Sequence, residues 1–330
     1  MKKCTVGGQA VLEGVMMKAP DAMAIAVRCE DGTIDVKRKA LNPASNRHPI
    51  LKLPIIRGII SFGEAMVQGI RSLMDSAEIY GDQDSDDFKP SKFETFIAKK
   101  LGKNVDDVII FFAILLAMVF SVGLFILLPA LIASLFRRWI ENHIVVNILE
   151  GLVRIMIFLA YIIAVSQIKD IKRVFEYHGA EHKTIHCYEH EEDLTVENAR
   201  KYTTLHPRCG TAFLLIVMVI SIMVFSFLRW ENILIRVITR LLLLPVIAGL
   251  SYEVTRLAGR SDSAIVRAII YPGLLLQKLT TREPDDDQLE VAIRAFNAAM
   301  GIYEEEETDG EAKLNGPDTQ GSTALAGQGS

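Results

Sequence analysis

The chain has 330 residues, half of them hydrophobic, and a mean hydropathy of +0.28. A soluble protein of this length is usually less apolar, so membrane spans are expected. The formal net charge of −4 argues against a bulk nucleic-acid binder, and Cys4, Cys29, Cys187 and Cys209 lack disulfide-framework spacing, which points to a reducing compartment.

The first segment, 1–48, reads as a small cytoplasmic domain containing a β-hairpin. Residues 4–10 are too polar for a signal-peptide core. Alternating runs at 23–28 and 33–38 flank Cys29-Glu30-Asp31-Gly32, whose Asp-Gly pair is a turn signal. The glycine-punctuated run 7–17 lacks the Lys and hydroxyl of a phosphate cradle, so it reads as a close-packed turn and strand, with Glu13 its one strong chemical group.

Residues 49–107 read as an amphipathic helix and an acidic linker. Ile55, Ile56, Ile59, Ile60, Phe62, Met66 and Ile70 form an apolar face that Arg57, Glu64 and Arg71 interrupt, so the helix is interfacial or core. Residues 108–260 read as a transmembrane bundle. Spans are expected at 108–136, with Pro129 kinking it or ending its regular part, and at 144–168, 212–228 and 233–251. The loop 169–211 is richer in cations than the segments after the other spans, with Lys169, Lys172, Arg173, Lys183, Arg200, Lys201 and Arg208. That places it, and both termini, in the cytoplasm. Residues 261–302 hold a re-entrant or interfacial stretch at 264–279, broken by Arg267 and Pro272, and then a capped amphipathic terminal helix at 288–300. The tail 303–330 is acidic, then rich in Gly, Ser and Thr, and reads as disordered. Glu150 and Arg240 both fall inside spans, where a charge needs a partner. Glu150 with Arg240 or Arg154 is either a pair that fixes helix register or part of an ion path.

The chemistry concentrates in the cytoplasmic loop. His178, His182, His186 and His190 recur every four residues. A helix drifts about 40° per such step, so neighbours can share an ion but His178 and His190 cannot. His178-Gly179-Ala180-Glu181-His182 sets two imidazoles one turn apart with Glu181 beside them, which suits a divalent metal and a general base. His-x-x-Glu-His is also the inverted zinc-peptidase pattern, although nothing else in the chain resembles those soluble enzymes. Further ligands are needed. His206 and Cys209, in His206-Pro207-Arg208-Cys209-Gly210-Thr211, are the right types at ligand-like spacing. Glu253, at the cytoplasmic end of the fourth span, would complete a His/His/Glu set unless Arg256 pairs with it. A solvated His-rich helix is the plain alternative.

These motifs, with His48-Pro49, Ile56-Arg57-Gly58, Tyr252-Glu253, Pro272-Gly273 and the run 280–285, resemble the YqhQ-like family of bacterial membrane proteins over most of residues 5–300. The resemblance implies an integral protein of the bacterial inner membrane, described for the family as a predicted metal-dependent enzyme, and it names no substrate. His186 and His190 fall outside the shared motifs, which favours His178 and His182 as the pair.

The expected fold is therefore mainly α, a polytopic membrane protein with about four transmembrane helices and a small N-terminal β-containing element. The leading functional expectation is a metal-dependent hydrolase. Its metal, zinc first, is held by His178 and His182 with one or more of His206, Cys209 and Glu253, and Glu181 is the base. The rivals are a membrane scaffold with a structural metal and a small-ion transporter using Glu150, Arg154, Arg236 and Arg240. The expected partner is the lipid bilayer, with no nucleic acid; self-association and protein partners are left open.

Overall fold

The computed structural model describes residues 6–41, 51, 53–81, 105–136, 139–207, 209–228, 232–258 and 263–302. Of the expected acidic linker at 81–92, residues 82–92 lie outside these residues, as do the tail from 303 and Arg137, Arg138, Arg208, His48 and Pro49.

The N-terminal segment is a four-stranded antiparallel meander, β1 (Gly7–Val11), β2 (Gly14–Lys18), β3 (Ala22–Arg28) and β4 (Ile34–Ala40), in that spatial order. The glycine-punctuated run forms the first hairpin. Its two-residue turn is Leu12-Glu13, with Glu13 at positive φ, and Val11 is paired with Gly14. The Asp31-Gly32 signal closes the last hairpin, where Gly32 takes φ of 84° and the Asp31 carboxylate accepts from the Thr33 N–H.

Alternation along the strands gives the sheet two faces. Val15, Met17, Ala24 and Ala26 face a core shared with Tyr177, Leu289, Ala292 and Phe296. Met16, Met23, Ile25 and Val27 face the other way, toward Ile79 and Tyr80 of α1 (Ile56–Tyr80). The sheet is thus sandwiched between α1 and the pair α5 (Lys169–Glu189) and α10 (Asp286–Met300), with the short α6 (Val196–Arg200) against them. The terminal helix begins in a capping box between Asp285 and Gln288 and ends at Gly301 in the left-handed region.

The remaining helices are strongly apolar. α2 (Val105–Val122) runs through a π turn at Gly123–Leu127 into α3 (Leu128–Phe136); α4 (His143–Val165), α7 (Gly210–Ser226), α8 (Ile233–Ala258) and α9 (Ala264–Thr280) follow. Among the described residues, three stretches are long and apolar enough to cross a membrane: Phe111–Phe136, His143–Val165 and Leu234–Leu257. α7 is apolar and shorter, with 17 residues. The chain is thus mostly helical among the described residues, with a small N-terminal sheet and three helices of membrane-crossing length.

Pro129 does not end the first of these stretches. It has no N–H for the Phe125 carbonyl four residues back, and Arg154 Nε donates to that carbonyl at 2.9 Å instead. The stretch 264–279 is one helix with Pro272 inside it, packed on α7 where Gly273 meets Ala212. Glu150 is fully buried among three arginines: Arg240 at 2.8 Å, Arg154 at 3.1 Å and Arg236 at 3.5 Å.

Candidate metal centre

α5 carries the site. The apolar helix α4 stops at Val165 and the chain turns through Ser166, Gln167 and Ile168 before α5 begins, so His178 does not stand at the end of one long straight rod. No bend occurs at Gly179. That glycine allows close packing instead, since a Cβ there would lie 2.0 Å from the Arg282 carbonyl oxygen.

His178 and His182, one turn apart on α5, have rings 4.5 Å apart between centroids. Each uses Nδ1 on a backbone carbonyl: His178 donates to Thr280 at 2.8 Å and His182 to Thr204. This fixes the tautomer that leaves both Nε2 atoms as lone-pair donors. Cys209 completes a triad whose ligand atoms all lie within 4.8 Å of one another. His178 Nε2 is 3.2 Å from the Cys209 sulfur, and the sulfur also accepts from the Thr211 N–H at 3.4 Å. Cys209 is the N-cap of α7, which fixes its sulfur at the start of that helix. His182 is 1% exposed and its Nε2 has no hydrogen-bond partner. A buried imidazole nitrogen left unpaired is costly, and two imidazoles with a thiolate are a donor set that suits a borderline-soft cation such as zinc. The residues fit such an ion.

The triad opens on a cavity of about 400 Å³, lined by β1 from Gly7 to Ala10, by Val174, Phe175 and Ile185 of α5, and by the 209–211 turn. Glu181 is on its wall, 5% exposed. Burial raises the Glu181 carboxyl above the ordinary carboxylate range; His178 and a hydrogen bond from the Gly8 amide act in the opposite direction. A Cβ on Gly8 would lie 2.8 Å from the Glu181 carboxyl carbon. Nothing in the motif near 178 points to β1. The signal was the paired glycines at 7 and 8, which read only as close packing.

Of the remaining expected ligands, His206 lines the same cavity, its ring 5.6 Å from that of His182, but is not in the triad. His206 belongs to a second, buried group with His186 and Glu189, again within 4.8 Å, and its Nε2 is 3.4 Å from a Glu189 oxygen. Burial, then His186 and His182, push its imidazole down to about 3. The four-residue His spacing contains His186, which falls outside the shared motifs, and no sequence signal marks Glu189. The expectation for Glu253 is corrected: it forms an ion pair with Arg57 at the start of α1 and accepts from the Ile55 N–H at 3.4 Å. Glu13, the chemical group of the first hairpin, pairs with Arg173 and so ties the sheet to α5.

The family model for a protein of unknown function, DUF1385, matches residues 53–302, which span this whole site apart from β1. The chain belongs to this family. An uncharacterised relative, YqhQ of Bacillus subtilis (strain 168), is 37% identical over 299 residues, covering 90% of this chain and 92% of that protein. No solved structure matches.

Proposed function

We propose that this DUF1385 protein is a polytopic membrane protein that carries out metal-dependent hydrolysis at the His178–His182–Cys209 triad, on the cytoplasmic side of the bacterial inner membrane. The observation that carries the reading is a three-ligand set with an unpartnered buried Nε2 on His182, opening on a cavity that has Glu181 on its wall. Structural zinc sites are closed by four protein ligands, whereas catalytic ones keep a position open. A zinc-type ion bound there supplies Lewis acidity, polarising a substrate oxygen and making a water more acidic.

The chain's own residues do the rest. The Thr280 and Thr204 carbonyls orient the two imidazoles. Glu181, its proton affinity raised by burial, takes a proton from water in the cavity and returns it to the leaving group. The Gly8 amide holds that carboxylate in place, and Val174, Phe175 and Ile185 keep the surroundings apolar. The cytoplasmic placement rests on the cations of the 169–211 loop.

The test is elemental analysis of detergent-purified protein, followed by turnover on panels of membrane peptides, lipids and phosphate esters. Wild type is expected to hold near-stoichiometric metal and to turn over one class. His178→Ala/His182→Ala loses the metal, while Glu181→Gln keeps it and loses turnover. Absence of metal after add-back, or a Glu181→Gln protein as active as wild type, overturns the reading.

A further inference from the structure

α1 has three faces. At about 100° per residue, the small buried residues Gly58, Gly69, Ser72 and Ser76 lie together on one arc. They meet the sheet and α8: Gly69 accepts a hydrogen bond from Gln9, Ser76 accepts from the Leu12 N–H, and Gly58 lies against Gly249. A second arc collects Glu64, Gln68, Arg71, Asp75 and Glu78. The third carries Phe62, Met66, Val67, Ile70, Leu73 and Met74, all exposed, Met66 by 51%. These six fall within about 140° of the circumference and extend over about 18 Å. A water-facing helix would not normally gather its large apolar residues on its open side.

Two further observations say what covers that strip. First, it is continuous with the membrane-length helices. Gly58 meets Gly249 inside the stretch Leu234–Leu257, and the Phe62 ring is 6.0 Å from that of Phe213 on α7. Second, the sheet face on which α1 lies carries three lysines against one carboxylate, Asp35 opposite Val27. The register Met23↔Lys39, Ile25↔Lys37 and Lys18↔Met23 puts Lys18, Lys37 and Lys39 on that face with Met23 and Ile25, and Lys37 and Lys39 are exposed on β4. Apolar residues beside lysines are the composition of a surface that meets anionic lipid.

We infer that α1 is a bilayer-surface helix: its Phe62–Met74 strip lies among acyl chains, and Lys37 and Lys39 meet anionic headgroups, so the sheet unit is docked on the membrane. This rests on the membrane part of the proposed function and adds a surface that the three long helices do not supply.

The experiment places the photo-crosslinker p-benzoylphenylalanine singly at Met66, Ile70, Arg71 or Leu116 in the full chain, reconstituted in vesicles of equal phosphatidylcholine and phosphatidylglycerol. Adducts are read by mass spectrometry. Lipid adducts are expected at Met66, Ile70 and Leu116 and not at Arg71, with phosphatidylglycerol enriched at least twofold over phosphatidylcholine at Met66. That enrichment is expected to vanish in Lys37→Glu/Lys39→Glu. Lipid adducts at Leu116 but none at Met66 and Ile70 overturn the inference and leave the membrane reading standing. Adducts between two copies of the chain at Met66 overturn it in favour of self-association. Absence of lipid adducts at Leu116 overturns the membrane reading itself. Equal labelling by the two lipids overturns the role of the lysines.

Discussion

Gly8 has no side chain because Glu181 and the Met16 carbonyl already occupy the space that one would need. The carbonyl belongs to the paired strand β2 and cannot swing aside, so Gly8→Ala is expected to cost about 1–3 kcal/mol through overpacking and to displace Glu181. The check is a fall in the thermal midpoint of detergent-purified protein with metal content unchanged, since the atoms nearest that Cβ position belong to Glu181 and Met16. The second residue-scale effect concerns pH. His206 is held neutral down to about 3, below the ordinary imidazole value near 6.5. Between those values the unfolded chain binds the proton and the folded one does not, so stability is present above about 6.5 and falls as pH is lowered. Chemical denaturation is expected to give about 2 kcal/mol less stability from this group at pH 5 than at pH 7.5, and His206→Gln should flatten that slope. At this scale the sequence showed the pair His178 and His182 through helical spacing alone. It did not show that His206 joins His186 and Glu189, nor that Glu253 turns to Arg57, because those partners are set by how α5, α1 and α8 pack and not by distance along the chain.

Among the elements, the helix built from α2, the π turn and α3 shows how a rule broken in one helix is made good by another. Pro129 frees the Phe125 carbonyl, and Arg154 of α4 reaches it. The same guanidinium pairs with Glu150 one turn earlier on α4, and Arg240 and Arg236 of α8 close on that carboxylate from the other side. The pairing of Glu150 with Arg154 or Arg240 was readable from helical spacing and membrane depth. Arg236 as a third partner was not, since depth alone does not say which face of α8 turns inward. Glu150→Gln removes the one carboxylate that the three arginines share and is expected to destabilise the bundle by about 3–5 kcal/mol. The measurement is the thermal midpoint in detergent, where metal content just below the transition should match wild type, because the triad lies on α5 and the start of α7. The apolar stretches themselves were legible from composition. The end of the second span at 168 was legible too, from the charges that begin at Lys169; that the helix itself breaks at Ser166–Ile168 was not, since no proline or glycine marks it.

Across the whole molecule, a sheet unit and a bundle of apolar helices meet where α4 runs into α5, where α9 runs into α10, at the His178–Cys209 contact, and where α1 leans on α8. The last of these depends on absent side chains. Gly58 and Gly249 face each other, and a Cβ on Gly249 would lie 2.7 Å from the Ile55 carbonyl oxygen and 2.8 Å from an Ile55 methyl. Small residues at such crossings let helices approach closely enough for dispersion to hold them where apolar surroundings provide no hydrophobic drive. Gly249→Leu should therefore push α1 off α8, taking Arg57 away from Glu253, while the first hairpin stays tied to α5 through Glu13 and Arg173 and the 209–211 turn meets α5 through Cys209 and His178. The expected outcome is faster proteolysis within α1 in the detergent-purified variant, with metal bound at the wild-type level. Loss of metal in the same variant would instead make the α1–α8 crossing part of the construction of the centre, and α1 would then hold β1 over the cavity from outside.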